Sequence, residues 1–187
     1  MRRPPLTSSL LLIASLVLVA PVAPGAHPAG PEPAERSVRS VFFVAKSENR
    51  NEVHYGIALD SACRPVGVSP VFAYWQMRER GPLATEPLLS REVPAYGVSE
   101  PQRVDRAERG GRVVFTLKAL PKRAIAIDAA PDGAGCIATA KIVIGGTAAA
   151  LTSVFVQLRW PFGVDYLELS GRAIPDGRRL RERLTDL

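Results

Sequence analysis

Residues 53–60 read VHYGIALD, and in this stretch every second side chain is large and apolar. Successive side chains of a β-strand point to opposite faces, so this period of two predicts a strand with one buried face. The apolar run VFFV at 41–44 precedes it, and the five residues SENRN at 47–51 lie between the two. Turn-forming residues between two apolar runs are typical of a β-hairpin.

Further short segments of the same character follow, separated by turn-forming residues. They are 71–77, 112–119, 124–128, 137–144, 151–160 and 164–171. About eight short strands predict a mainly β protein, with a single antiparallel β-barrel-like or sandwich domain. One short inserted helix is predicted over 86–92, with Thr85 as its cap and Pro94 beyond its end. The terminus at 177–187 is either a second short helix or a frayed, solvated tail.

The N-terminus has the layout of a secretory signal peptide. A basic head of Arg2 and Arg3 is followed by an uncharged apolar run over 10–22 and small residues up to Ala26. The run is shorter than the roughly 20 residues of a membrane span. Export to the periplasm or the cell exterior is therefore predicted, with no transmembrane span once the signal is removed. The predicted divisions are a signal peptide over 1–26, a Pro/Ala/Gly-rich linker over 27–37, a β-rich domain over 38–174 and a basic tail over 175–187.

Composition and charge argue against nucleic-acid binding. The chain is 47% hydrophobic and 22% charged, which is ordinary for a globular protein. Its formal net charge is +6, of which Arg2 and Arg3 contribute two, leaving +4 after signal removal. Basic and acidic residues are interspersed, whereas a nucleic-acid groove needs a basic stripe with stacking aromatic rings. The charge is therefore interpreted as a solvated surface.

The chain contains two cysteines, Cys63 and Cys136. In an oxidising compartment they are expected to form one disulfide. Two separate buried thiols are the alternative, because pairing requires the two Cα atoms to lie within about 7 Å.

Several short segments, in their order and spacing, resemble one family. They are NRNEVHY at 49–55, PVFAYW at 70–75, PAYGV at 94–98, VFVQL at 154–158 and DYLELSG at 165–171. Together they resemble the uncharacterised bacterial exported family known as domain of unknown function 4833, over about residues 40–173. The resemblance implies an exported, β-rich single domain with no assigned activity. It implies no catalytic residue.

A polar cluster and an aromatic set supply the candidate binding residues. The asparagines of the 47–51 connection have two possible roles. They either hydrogen-bond nearby backbone, or they orient a ligand beside an anion clamp formed by Lys46 and Arg50. The aromatic residues, with Trp160 among them, are either core or pocket lining. Tyr74 and Trp75 are adjacent on a strand, so they point to opposite faces. The predicted ligand-binding residues are Lys46, Asn49, Arg50, Asn51, Tyr55, Tyr74, Trp75 and Tyr96.

Motifs for catalysis, cofactors or metals are weak. The chain has no Gly-x-Ser-x-Gly elbow, and no histidine stands near Cys63 as a partner. Glu52 and Asp60 share a strand face and are a weak candidate for an acid–base pair. His27 and His54 are the two histidines, and His54 is expected on the exposed face of its strand, so no metal site is predicted. Catalytic residues and cofactors are therefore predicted to be absent.

The sequence thus favours a non-catalytic envelope protein that binds a small molecule or a protein partner. A structural or assembly module that pairs through a strand edge is the alternative. A hydrolase of envelope material is a third hypothesis, which a buried carboxylate of raised pKa would support. The ligand and the oligomeric state are left open.

Overall fold

The computed structural model describes residues 37–81, 84–133, 135–159 and 164–185. The predicted signal peptide, most of the predicted linker and Trp160 lie outside the described residues. The elements are β1 (Ser37–Lys46), β2 (Glu52–Leu59), β3 (Val71–Gln76), β4 (Thr85–Pro87), α1 (Val93–Tyr96), β5 (Arg103–Arg106), β6 (Gly111–Leu117), β7 (Leu120–Asp132), β8 (Gly135–Ile144), β9 (Thr147–Leu158), β10 (Val164–Ala173) and β11 (Arg179–Leu184).

The eleven strands form one sheet that divides at β9. The order is β4-β3-β2-β1-β9-β8-β7-β6-β5, with β10 on β9 and β11 on β10. Residues 147–150 of β9 pair with β8, residues 153–156 pair with β1, and β10 runs along the opposite edge. The strands β1–β4 and β5–β8 are therefore two layers that share β9. The strands β4 and β5 stand at the two ends of this order and do not pair with each other. The sheet is therefore sandwich-like and does not close into a barrel.

The predicted mainly β fold with one short helix is confirmed, in its sandwich form. One pairing differs from the antiparallel prediction, because β1 and β9 run parallel over Phe43–Lys46 and Ser153–Val156. A hairpin turn forces its two strands to be antiparallel, but these strands are joined through seven others. Their relative direction is set by the packing of the layers.

Both predicted helices are corrected by strand pairing. Thr85 does not cap a helix over 86–92, because it pairs with Gln76 at the start of β4. The helix begins later, at Val93, and Pro94 lies in its first turn, where a missing N–H removes no helical bond. The tail at 179–184 is neither helical nor frayed but forms β11 on β10. Its sequence RLRERL alternates exposed and half-buried side chains, a period of two that indicates a strand.

The core lies between the two layers. The four large apolar side chains of the opening stretch, Val53, Tyr55, Ile57 and Leu59, are each fully buried. They pack in one cluster with side chains of the second layer such as Phe115. The alternation predicted from the sequence is therefore confirmed at every one of these positions.

One end of the sandwich is cross-linked. Cys63, in the connection after β2, is bonded to Cys136 at the start of β8, with the two Cα atoms 5.4 Å apart. The predicted disulfide is therefore confirmed. At the same end the Arg106 guanidinium donates to the carbonyls of Pro65 and Gly67. The Gln102 amide exchanges two hydrogen bonds with the Val71 backbone, at 3.0 and 2.7 Å.

Candidate functional site

A cavity of about 300 Å³ lies between the layers, at the end away from the disulfide. The first layer contributes Val44 and Tyr55, and the hairpin between β6 and β7 contributes Leu117 and Leu120. The strands β9 and β10 contribute Val154, Val156, Leu158, Val164 and Leu167. The cavity is apolar because most of its lining side chains belong to the hydrophobic core.

Tyr55 places a hydroxyl at the wall of this cavity. Its ring stacks on Phe42 with 4.4 Å between ring centroids and 4° between the planes. Its hydroxyl donates to the Tyr96 carbonyl at 2.8 Å. Burial raises the pKa of Tyr55 far above its ordinary value, so the phenol stays neutral and remains a donor. The cavity therefore contains no charge from this side chain.

The short helix α1 forms one side of the cavity. Its last residue, Tyr96, lines the cavity together with Ala95. The Gly97 N–H donates to the Val93 carbonyl at 2.7 Å, and the Lys118 N–H donates to the Gly97 carbonyl at 2.9 Å. The bond from Lys118 fixes the helix to the β6–β7 hairpin. Burial, followed by the negative charges of Glu48 and Glu92, raises the pKa of Tyr96.

A second, polar pocket of about 250 Å³ lies beside α1. Its wall includes Trp75, which is 8% exposed and donates from Nε1 to the Glu92 Oε2 at 2.9 Å. The Lys46 Nζ lies 5.1 Å from the centre of the Trp75 ring, and Asn51 also lines the pocket. The Trp75 ring meets Tyr96 edge to face, with centroids 5.5 Å apart. Tyr96 and Trp75 therefore stand between the cavity and the polar pocket.

The predicted binding residues are distributed over separate places. Tyr55 and Tyr96 line the cavity, while Lys46, Asn51 and Trp75 line the polar pocket. Three predicted residues line neither, namely Asn49, Arg50 and Tyr74.

Those three residues occupy the β1–β2 connection and the outer face. The Asn49 Oδ1 accepts a hydrogen bond from the Asn51 N–H at 3.0 Å, so this asparagine stabilises the turn. Arg50 is exposed beside it. Lys46 pairs with Glu48 at 3.7 Å, so this cation already faces a carboxylate. Tyr74 lies on the outer face of β3, with its ring 5.9 Å from His54.

Sequence reasoning missed Glu92. Its carboxylate accepts from the Trp75 indole and, at 2.8 Å, from the Leu89 N–H, and thereby joins β3 to the segment before α1. Pro94 is the local signal for α1, because proline is favoured in the first turn of a helix. Glu92 makes no helix-capping hydrogen bond, so this signal does not indicate its contact with Trp75.

Glu52 and Asp60 do not form an acid–base pair. They stand at opposite ends of β2, about 26 Å apart at about 3.3 Å per residue. Burial would raise the pKa of each, but hydrogen bonds from His54 and Arg78 to Glu52, and from Arg64 to Asp60, lower both. Each is an ionised hydrogen-bond acceptor.

Among the described residues, no three His, Cys, Asp or Glu side chains are grouped so that they could hold a metal ion. Within that same part of the chain, no helix has the length and hydrophobicity needed to span a bilayer.

The described residues thus define an open β-sandwich with an apolar cavity between its layers and a polar pocket beside it. The chain belongs to the family described as Domain of unknown function (DUF4833), whose model matches residues 42–183. The resemblance drawn from the short segments is confirmed. Neither a curated protein nor a solved structure matches the chain.

Proposed function

We propose that this domain binds a small, mainly apolar molecule in the cavity between its layers. The observation that carries the proposal is the cavity itself, because about 300 Å³ lies within the size range of small-molecule sites. An apolar cavity of about 150 Å³ already holds benzene. The space is therefore suited to a ligand with a ring system or a short hydrocarbon chain.

The chemistry of the wall defines the class of ligand further. The Tyr55 hydroxyl is already bonded to the Tyr96 carbonyl, so it offers the ligand little polar recognition. A charged group inside the cavity would lose its hydration without gaining a partner, which is costly. The bound part of the ligand is uncharged.

The polar pocket is the second element of the proposal. Lys46 supplies a cation, Asn51 an amide and Trp75 an aromatic wall, which together suit the polar end of an amphipathic ligand. Of the predicted binding residues, these three and Tyr55 and Tyr96 remain in the proposed site. Asn49 and Arg50 are assigned to the turn, and Tyr74 to the outer face.

Export is part of the same proposal. The signal peptide predicted over 1–26 and the Cys63–Cys136 disulfide support a protein that works in the periplasm or outside the cell. Such a protein meets apolar molecules of the cell envelope.

The edges of the sheet favour binding over assembly through a strand edge. The outermost strands of the order, β4 and β5, have three and four residues. On the other side, β11 presents exposed Arg179, Arg181 and Arg183. Short edge strands and edge charges are features that oppose pairing with another chain.

A fluorescent apolar probe tests the binding proposal. Ala119 is exposed and lines the cavity, so Ala119→Trp places a large ring at its opening with little disturbance of the core. We expect the full chain to bind 1-N-phenylnaphthylamine saturably, and Ala119→Trp to weaken binding at least tenfold. Ala124→Trp, at an exposed position of β7 that does not line the cavity, is the matched control. Equal binding by both variants, or no saturable binding by the natural chain, would contradict the proposal.

A further inference from the structure

The outer face of β1 and β2 carries three side chains in a hydrogen-bonded row. The Ser40 Oγ lies 2.9 Å from the His54 Nδ1, and the His54 Nε2 lies 2.8 Å from the Glu52 Oε2. A hydroxyl, a base within hydrogen-bond reach and a third group that orients the base are the signature of an activated nucleophile. None of the three lines the cavity or the polar pocket.

The protons of this row are arranged as a base requires. Burial would raise the pKa of Glu52, but its hydrogen bonds with His54 and Arg78 outweigh that effect and lower it. An ionised carboxylate only accepts, so the hydrogen bond between Nε2 and Glu52 requires a proton on Nε2. In the tautomer with that single proton, the lone pair of Nδ1 faces the Ser40 hydroxyl.

Neighbouring side chains hold the base and leave the hydroxyl accessible. The His54 ring lies between Phe43 and Tyr74, with centroids 5.5 and 5.9 Å away. The Arg78 guanidinium donates twice to the same Glu52 oxygen, at 3.0 and 2.8 Å. Ser40 itself is exposed, at a β-bulge where the pairing of β1 with β2 shifts register.

An apolar groove lies beside Ser40. In the sheet, Ser40 stands opposite Gly56, and Gly56 stands opposite Phe72. A Cβ at Gly56 would lie 3.2 Å from the Phe72 ring and 3.3 Å from a Val38 methyl group, so these side chains cover the glycine. Val38, Phe72 and Tyr74 line the groove, which offers apolar surface for the acyl group of an ester.

We propose that Ser40, His54 and Glu52 form an acyl-ester hydrolase site, with Ser40 as nucleophile, His54 as base and Glu52 as the residue that positions the base. The Ser40 Oγ bonds to the ester carbonyl carbon while its proton passes to the His54 Nδ1. The bond from that carbon to the alkoxy oxygen breaks, and the leaving alkoxide takes the proton from His54 as the alcohol. Water then attacks the acyl-serine by the same route, which releases the acid and restores Ser40.

The activity is independent of ligand binding in the cavity. Its substrates are esters with an uncharged, apolar acyl group, because the groove beside Ser40 offers hydrocarbon and aromatic surface. The Ala119→Trp variant should therefore retain it.

An organophosphonate probe tests the nucleophile directly. We expect a fluorophosphonate to label Ser40 in the full chain, and p-nitrophenyl butyrate to be hydrolysed. His54→Gln should slow both reactions at least 100-fold, the usual scale of general-base catalysis. The matched control is Ser69→Ala, because Ser69 is exposed and donates to the Glu100 Oε2 at 2.8 Å without a histidine partner. That variant should react as the natural chain does.

Two results would overturn the proposal. One is labelling of Ser40 in the natural chain at the rate of Ser69, a comparison that depends on no variant being folded. The other is a spectroscopic result, namely a neutral His54 imidazole that carries its proton on Nδ1 in ¹⁵N NMR spectra. Glu52→Gln should shift that tautomer balance and lower the labelling rate, whereas a merely structural Glu52 would leave the tautomer unchanged.

Discussion

Gly97 ends α1 at a point where the backbone leaves no space for a side chain. A Cβ there would lie 2.5 Å from the Val93 carbonyl oxygen and 2.8 Å from its Cγ1. Real contacts of a Cβ are much longer, so the helix or the hairpin bonded to it would have to move. A methyl group added at Gly97 would therefore displace α1, which forms one wall of the cavity.

We expect Gly97→Ala to lower the free energy of unfolding by about 1–3 kcal/mol, the usual cost of overpacking. Urea denaturation followed by circular dichroism measures it. At Gly135 the nearest atom to an added Cβ is the flexible end of Arg39, at 3.2 Å, so Gly135→Ala should change stability by less than about 0.5 kcal/mol. Equal effects of the two substitutions would refute the role given to Gly97.

At the level of single residues, the aromatic residues predicted for binding line the cavity or the polar pocket with one exception, Tyr74, whereas Asn49 and Arg50 among the polar ones line neither. Aromatic side chains on alternating strands have few roles other than core or pocket. Glu92 and Ser40 are not predictable in this way, because the side chains that they contact lie on other elements of the fold. Proximity across a sheet depends on register, which a linear sequence does not contain.

Among the elements, a row of ion pairs crosses three strands of the second layer. The Asp128 carboxylate on β7 accepts a hydrogen bond from the Arg112 Nη2 of β6 at 3.0 Å. The Lys141 Nζ of β8 lies 2.7 Å from the same carboxylate. The Arg112 hydrogen bond is the largest cause that lowers the pKa of Asp128, and the bond from Lys141 adds to it. The carboxylate therefore joins the strands only while it is ionised.

The direction of the pH effect follows from that lowered pKa. A folded-state pKa below the unfolded value means that the stabilisation is present above about pH 4 and is lost as the pH falls through the folded value. We expect Asp128→Asn to lower stability at pH 7 and to flatten its decline toward pH 3, measured by urea midpoints. Asp132→Asn, at an exposed position with no ion-pair partner among the described residues, should leave the pH profile unchanged.

Elements were predictable where the pattern is local. The stretch 53–60 was assigned correctly because its period of two reflects one buried face. The helices predicted over 86–92 and from 177 onward are wrong because residues 85–87 pair with β3 and residues 179–184 pair with β10, and these pairings outweigh weak helical propensity in short segments. The parallel pairing of β1 with β9 has no local signal at all.

Across the whole molecule, the two ends of the sandwich are held differently. One end has the disulfide together with the contacts of Gln102 and Arg106. The other end has the cavity, and there α1 is bonded to the β6–β7 hairpin while β1 pairs with β9 over Phe43–Lys46. The cavity end is therefore held by hydrogen bonds, whereas the opposite end also has a covalent cross-link.

The disulfide should dominate global stability. It spans a sequence separation of 73 residues, for which loop-closure entropy predicts a stabilisation of about 4 kcal/mol. We expect the double variant Cys63→Ala, Cys136→Ala to lose about that amount in urea denaturation. The chemically reduced natural chain is the control, because it should match the double variant. A loss below about 1 kcal/mol in both would show that the end is held by its hydrogen bonds instead.

Because β9 belongs to both layers, β1 can complete its pairing only after β9 has been synthesised. Phe43 pairs with Ser153, and about 110 residues separate the two along the chain. The first hairpin therefore has no neighbour on one edge until nearly the whole domain has been synthesised, and such long-range closure slows folding. Folding of this domain is therefore completed late relative to its synthesis, which is compatible with the export proposed here.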